Sequence, residues 1–165
     1  MSTNLPMVVD ADALNIIAQG RVVKDVTSRS WVFTPHPGEA ARLLGISVSE
    51  VEQDRFGAVR KLQEKYNAVV VLKGAGTLVS GGLSQPTNIC PYGNPAMATA
   101  GMGDILSGVI GGLIAQGVDV QTAAELGCCL HSAAADMAAD EMGSKCLVAG
   151  EILPFLKALL NDELS

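Results

Sequence analysis

Aliphatic residues fall in short runs that stop at polar or glycine-rich stretches, with helix-like spacing between them. Leu5 to Val9 closes on Asp10-Ala11-Asp12, the pattern of a buried strand ending at a polar edge. Ala13 to Gln19 then reads as a helix stopped by Gly20. Trp31 to Thr34 is the second predicted strand, halted by Pro35-His36-Pro37-Gly38, and Glu39 to Leu44 is a helix broken by Gly45. Ser47 lies three residues before Glu50, the spacing of a capping box that opens another helix. The helical stretch from Asp54 to Tyr66 is charged and is expected to face solvent. Ala68 to Leu72 is the purest strand, followed by Lys73-Gly74-Ala75-Gly76; Thr77 to Ser80 returns as a further strand, turned by Gly81-Gly82. Pro86 and Pro91 predict a loop from Leu83 to Tyr92 with room for one short strand. Three helices close the chain, near 103–116, 120–140 and 149–161. No repeat, low-complexity tract or linker interrupts this order, so 1–165 is expected to form one domain.

Strands that are aliphatic throughout are covered on both faces, which implies an α/β fold with parallel strands. Composition sharpens this: hydrophobic residues make up 48% of the chain and aromatics only 4%, so Ala, Val, Ile and Leu must build the core, with 18 glycines for close approach. The net charge of −6 argues against nucleic-acid or anionic-membrane partners, and leaves any phosphate site to backbone amides and a helix end. No run reaches membrane-spanning length; the densest, Ile105 to Ala115, is broken by Ser107, Gly108, Gly111 and Gly112. Met1 to Asn4 lack the start of a signal peptide, and a cytoplasmic protein is expected. Cys90, Cys128, Cys129 and Cys146 show no C-x-x-C spacing, so reduced, mostly buried thiols are expected rather than a metal site or a disulfide framework.

Four loops carry candidate chemistry. In Thr99-Ala100-Gly101-Met102-Gly103-Asp104, two glycines precede an apolar helix whose free amides and positive dipole end make an anion site. Asp104 there is either a catalytic carboxylate or a residue favoured simply at a helix start. The glycines and Ser107 behind it imply a helix chosen for close packing, and Gly93-Asn94-Pro95 make a stiff approach. Lys73-Gly74-Ala75-Gly76-Thr77, at a strand end, is either a phosphate-contacting loop or a turn with a solvated lysine. Thr34-Pro35-His36-Pro37-Gly38-Glu39 holds His36 and Glu39 between prolines. Asp10-Ala11-Asp12 ends the first strand, with Asp12 suited to an N-cap. His131, in an apolar helix, reads as a hydrogen-bonded core residue, and Met97 and Met102 as packing or pocket-lining residues. Three of the four loops follow strands directly, which brings them to one edge of one sheet.

The strings V-V-D-A-D-A-L-N (Val8 to Asn15), T-P-H-P-G-E-A-A-R-L-L-G (Thr34 to Gly45), V-V-V-L-K-G-A-G-T (Val69 to Thr77) and G-N-P-A-M-A-T-A-G-M-G-D-I-L-S-G (Gly93 to Gly108) occur in this order. Together they resemble the ADP-dependent NAD(P)H-hydrate dehydratases of the ribokinase-like superfamily, over nearly the whole chain. The resemblance implies a three-layer α/β/α fold with a mainly parallel sheet. It implies dehydration of the S form of hydrated NADH or NADPH (NADHX, NADPHX) at the expense of ADP, giving AMP and phosphate, with Mg2+ on the nucleotide. By motif, Lys73, Gly74, Ala75, Gly76, Thr77 and Gly103 would contact ADP, His36 and Asp104 the hydrated nicotinamide, and Asp104 would be catalytic; no dedicated metal cage is expected. Ala96 and Ala100 stand where relatives often have glycine, tolerable at negative φ, and Gly150-Glu151 replaces a common helix-capping pair, which predicts a looser end. The glycine-rich stretch that precedes V-V-D-A-D-A in the family is expected to be missing, leaving an open sheet edge: either another chain covers it, as in a homo-oligomer, or the protein is less stable than its relatives. A small-molecule kinase on the same fold and a non-catalytic nucleotide-binding remnant are the alternatives; the T-P-H-P-G-E run argues against the kinase.

Overall fold

The computed structural model describes residues 5–20, 27–82, 85–145 and 147–162; Met1 to Asn4, Leu83 and Cys146, which carried expectations above, lie outside them. Among the described residues, five short strands form one sheet in the order β1 (Met7–Val9), β2 (Trp31–Phe33), β3 (Val69–Leu72), β4 (Leu78–Ser80), β5 (Asn88–Ile89). The first three run parallel, with Val8 beside Val32 and Phe33 beside Val70. Helix α1 (Ala11–Gln19) connects β1 to β2, and α2 (Pro37–Leu44), α3 (Val48–Gln53) and α4 (Arg55–Tyr66) connect β2 to β3. Only residues 73–77 separate β3 from β4, too few for a crossover, so β4 returns antiparallel and β5 follows it antiparallel. The sheet thus has the parallel core expected of it, β1 to β3, extended by an antiparallel meander through β4 and β5. The region from 83 to 92 does contain one short strand, β5.

Alternation along the strands makes three layers. Val9, Phe33, Val70 and Leu72 pack with Leu14, Leu43, Val59 and Leu62 from α1, α2 and α4. Val32, Val69, Val71 and Val79 point the other way, onto Leu106 and Ile110 of α5 (Met102–Ala115) and Ala123 and Cys128 of α6 (Val120–Met142). A third cluster joins α5 and α6 to α7 (Leu153–Asp162) through Met102, Ala135, Ile152 and Leu156. Leu5, just before β1, and Met7, its first residue, are 64% and 43% exposed, and among the described residues no strand pairs the outer edge of β1.

Several local expectations change. Helix α4 is not a solvent-facing helix: Ala58, Val59, Leu62 and Tyr66 lie on one buried face, and its charges occupy only the other. Helix α1 starts two residues early, so Asp10 holds the N-cap position and Asp12 lies in the first turn. Gly108, Gly111 and Gly112 of α5 do not mark close packing: a Cβ on any of them meets nothing within 4 Å among the described residues. The close approach is made from the other helix, where a Cβ on Gly127 of α6 would come 2.7 Å from Ile110 Cγ1. Ala96 and Ala100 keep negative φ, as tolerance requires. The end near Gly150-Glu151 is not left loose, because Val148 N–H donates to Glu151 Oε2 at 2.8 Å and ties the 3₁₀ turn Ala149–Ile152 that precedes α7.

Candidate functional site at the strand ends

The C-terminal ends of β1, β2 and β3 share one edge of the sheet, and a cleft of about 720 Å³ opens beside them. His36, all of Lys73 to Thr77, the approach from Tyr92 to Thr99 except Ala96, Met102 and Gly103, and Cys128, His131 and Ser132 of α6 line it. Residues from sequence-distant loops are thus gathered around one space, as the strand-end argument requires.

Lys73 is not a solvated turn lysine. Its Nζ donates to Asp10 Oδ1 at 2.8 Å, with side chains 22% and 14% exposed, and Ser107 Oγ of α5 donates to the other carboxylate oxygen at 3.0 Å. Burial pushes the Asp10 carboxyl up, but hydrogen bonding and charge from Lys73, with help from the Ala11 N–H and the Thr34 hydroxyl, hold it below the ordinary carboxylate value. Ala11, with φ 48° in the left-handed region that costs a non-glycine residue roughly 1–2 kcal/mol, turns the chain directly after this carboxylate. Gly103 fits against the pair: a Cβ there would lie 3.3 Å from Lys73 Nζ and 3.4 Å from Asp10 Oδ2. A cation is therefore held beside the first amides of α5.

That helix start is built by Gly101, at φ 89°, which caps with no side chain, and by the tethered approach before it. Asp136 of α6 accepts from the Gly93 N–H at 2.9 Å and from Asn94 Nδ2 at 2.8 Å, while Asn94 Oδ1 accepts from the Ala96 N–H at 3.0 Å. Asp104 stands at the third position of α5; it is exposed and is not among the residues lining the cleft. The structure thus brings Lys73 to Thr77, Gly103 and His36 together, and leaves Asp104 beside them on the outside.

His36 has a structural duty as well as a place in the cleft wall. It is the N-cap of α2: Gly38 N–H and Glu39 N–H donate to Nδ1 at 3.0 and 3.4 Å, and Glu39 Oε2 accepts from the His36 N–H at 2.8 Å. With Nδ1 accepting, the neutral ring carries its proton on Nε2. His131 is the buried core residue that its apolar helix predicts, 4% exposed, with one ring nitrogen, Nε2, left unpaired among the described residues. Burial lowers its pKa to about 4, the Lys73 charge acting in the same sense and a backbone hydrogen bond with Met102 opposing, so the ring is neutral at pH 7. Burial likewise raises the Cys128 thiol, and raises Cys129 to about 11.

Sequence reading left Asp10 without a role, gave Ser107 only a packing one, and missed Arg55 and Asp136. Asp10 was within reach as the first acid of a strand-end D-A-D. Arg55, whose Nη2 donates to Leu72 O and Lys73 O at 3.3 Å, carries no local signal.

The three layers, one sheet between helices, with a glycine-rich loop and a helix start at the strand ends, form a ribokinase-like fold. The family model described as NAD(P)H-hydrate dehydratase matches residues 1–154, and the chain belongs to that family. It is 53% identical to the bifunctional NAD(P)H-hydrate repair enzyme Nnr of Coxiella burnetii, over 98% of this chain and 32% of that relative. It is 47% identical to the ADP-dependent (S)-NAD(P)H-hydrate dehydratase of Neisseria meningitidis, over 96% of this chain and 54% of that one. A crystal structure of the ADP/ATP-dependent NAD(P)H-hydrate dehydratase from Bacillus subtilis, co-crystallized with ATP/Mg2+ and soaked with CoA, superposes with a TM-score of 0.83 at 29% identity, over 97% of this chain and 57% of that chain. The chain thus spans from about a third to somewhat over half the length of these relatives.

Proposed function

We propose that the chain carries the nucleotide-binding and phosphoryl-transfer centre of an ADP-dependent NAD(P)H-hydrate dehydratase. The observation that carries this is the convergence of Lys73 to Thr77, Gly103 and His36 on one cleft, with Lys73 held at the start of α5. Lys73, the amides of the 74–77 loop and Gly103 take the ADP phosphates, and His36 and Asp104 take the hydrated nicotinamide. Asp104 accepts the proton of the ring hydroxyl as that oxygen attacks the β-phosphorus of ADP and AMP departs. The helix-start amides and Lys73 stabilise charge on the transferring group. The ring nitrogen's lone pair then expels phosphate, and loss of a ring proton gives NADH or NADPH.

Magnesium keeps several waters and takes nucleotide phosphate oxygens, so it suits a cleft without a carboxylate cage. Among the described residues no three His, Cys, Asp or Glu side chains are grouped to hold an ion, and the one carboxylate tied to Lys73 is Asp10. A cytoplasmic setting is part of this proposal, and no helix of the described residues is long and apolar enough to cross a membrane.

One observation favours a second reading, a nucleotide-binding domain without turnover: Asp104 is exposed and outside the cleft lining. Incubation with hydrated NADH, ADP and Mg2+, followed by the return of reduced-cofactor absorbance, separates the two. Recovery that Asp104→Asn lowers by a factor of 10² or more, in the range of a lost general base, supports the dehydratase. ADP binding with no recovery supports the second reading, and absence of both overturns the nucleotide site itself.

A further inference from the structure

Arg55 opens α4, remote in sequence from the Lys73 loop, yet its guanidinium gathers the loop's carbonyls. Nη2 donates to Leu72 O and to Lys73 O, each at 3.3 Å, and Nη1 donates to Ala75 O. A trans peptide points its N–H opposite to its C=O, and the described chain contains no cis bond. Holding these three carbonyls therefore turns three N–H groups the other way: those of Lys73, Gly74 and Gly76. The first is taken by Pro35 O at 2.9 Å. The other two have no acceptor among the described residues, and both glycines line the cleft while Arg55 does not. The Gly74 carbonyl is also occupied, by Thr77 Oγ1 at 3.2 Å, which turns the Ala75 N–H away from it in the same manner. Gly74 is fitted to the arginine, since it sits at φ 142° and a Cβ there would lie 2.8 Å from Nη2.

We propose that Arg55 is the positioning residue of this loop: by holding three carbonyls away from the cleft, it presents the N–H groups of Gly74 and Gly76 to the phosphate oxygens of a nucleoside diphosphate. The ligand class rests on the nucleotide reading above; the ordering of the loop does not. The planar fork of an arginine is needed, because a single ammonium cannot hold three carbonyls in fixed directions. Successive N–H groups set free in this way form an anion-binding concavity.

The test has a ligand-free arm and an ADP arm, in the full chain. In the first, 15N relaxation gives the order of the Gly74 and Gly76 amides. They are expected near the rigid-backbone value of about 0.85 in the parent and below about 0.6 in Arg55→Met, with the rest of the chain unchanged. In the second, calorimetry with ADP is expected to show about a tenfold weaker Kd for Arg55→Met, the scale of one charge-assisted hydrogen bond. Arg55→Lys, which keeps the charge, is expected to behave like Arg55→Met; where turnover is measured, KM for ADP rises and kcat stays. Gly74→Ala, which pushes on the guanidinium from the other side, weakens ADP similarly, adds little to Arg55→Met, and serves if the arginine variants do not fold. Ordered amides in Arg55→Met, full affinity in Arg55→Lys, or a loosened loop with unchanged ADP affinity overturns the proposal. A parent protein that does not bind ADP overturns the nucleotide reading, and the ligand-free arm then still decides whether Arg55 positions the loop.

Discussion

Replacing Asp10 with asparagine removes one charge from the centre of the site while keeping shape and one acceptor oxygen. In the parent, Lys73 Nζ donates to Asp10 Oδ1 at 2.8 Å and Ser107 Oγ to Oδ2 at 3.0 Å, with both charged side chains largely withdrawn from water. A charge-assisted hydrogen bond in such a place contributes roughly 1.5–3 kcal/mol, and its loss leaves an ammonium group facing a neutral amide. Taking about 2 kcal/mol, and roughly 2–4 °C per kcal/mol for a chain of this size, Asp10→Asn is expected to lower Tm by about 4–8 °C at pH 7. The effect carries a pH signature. Because the folded carboxyl lies below its ordinary value of 3.8, its stabilisation is complete above that value and is lost as pH falls through the lowered folded one. Parent and variant Tm values, followed by circular dichroism from pH 7 to pH 2, should therefore converge in acid. Equal Tm at pH 7, or a gap that persists unchanged to pH 2, would refute the assignment of Asp10 as the partner that holds Lys73.

The α5–α6 contact predicts opposite results for two glycines. Gly127→Ala forces a Cβ against the fully buried Ile110 and should cost about 1–3 kcal/mol in a urea melt, whereas Gly108→Ala meets open space in a helix and should gain about 0.5–1 kcal/mol. Equal effects would show that the two helices are not packed as described. For His131, a folded pKa near 4 against an ordinary 6.5 means that the unfolded chain binds more protons between those values, so stability falls as pH drops from about 6.5 to about 4. Its ring resonances should stay at neutral positions down to pH 5 by NMR, and His131→Gln should remove that part of the acid slope. Titration near pH 6.5 would contradict the burial.

What the chain's own pattern determined was the order of elements, the two-sided burial of the strands and the loops that meet at the strand ends. These follow from local physics: aliphatic runs, proline and glycine stops, and the Ser47–Glu50 capping box, where Glu50 Oε2 accepts from the Ser47 N–H at 2.8 Å. Periodicity also holds the buried stripe of α4, but its high charge masks Ala58, Val59, Leu62 and Tyr66 until a core is there to receive them. Tertiary structure alone decided partnerships. Lys73 finds Asp10 across 63 positions and Ser107 reaches the same carboxylate across 97, because parallel strands end side by side and α5 begins over them. Arg55 meets the loop 17 to 20 residues ahead only because α4 packs beside β3. A sequence pattern records which residues must be buried or must turn; it carries no record of which distant charge will stand opposite, since that pairing exists only once the layers have closed.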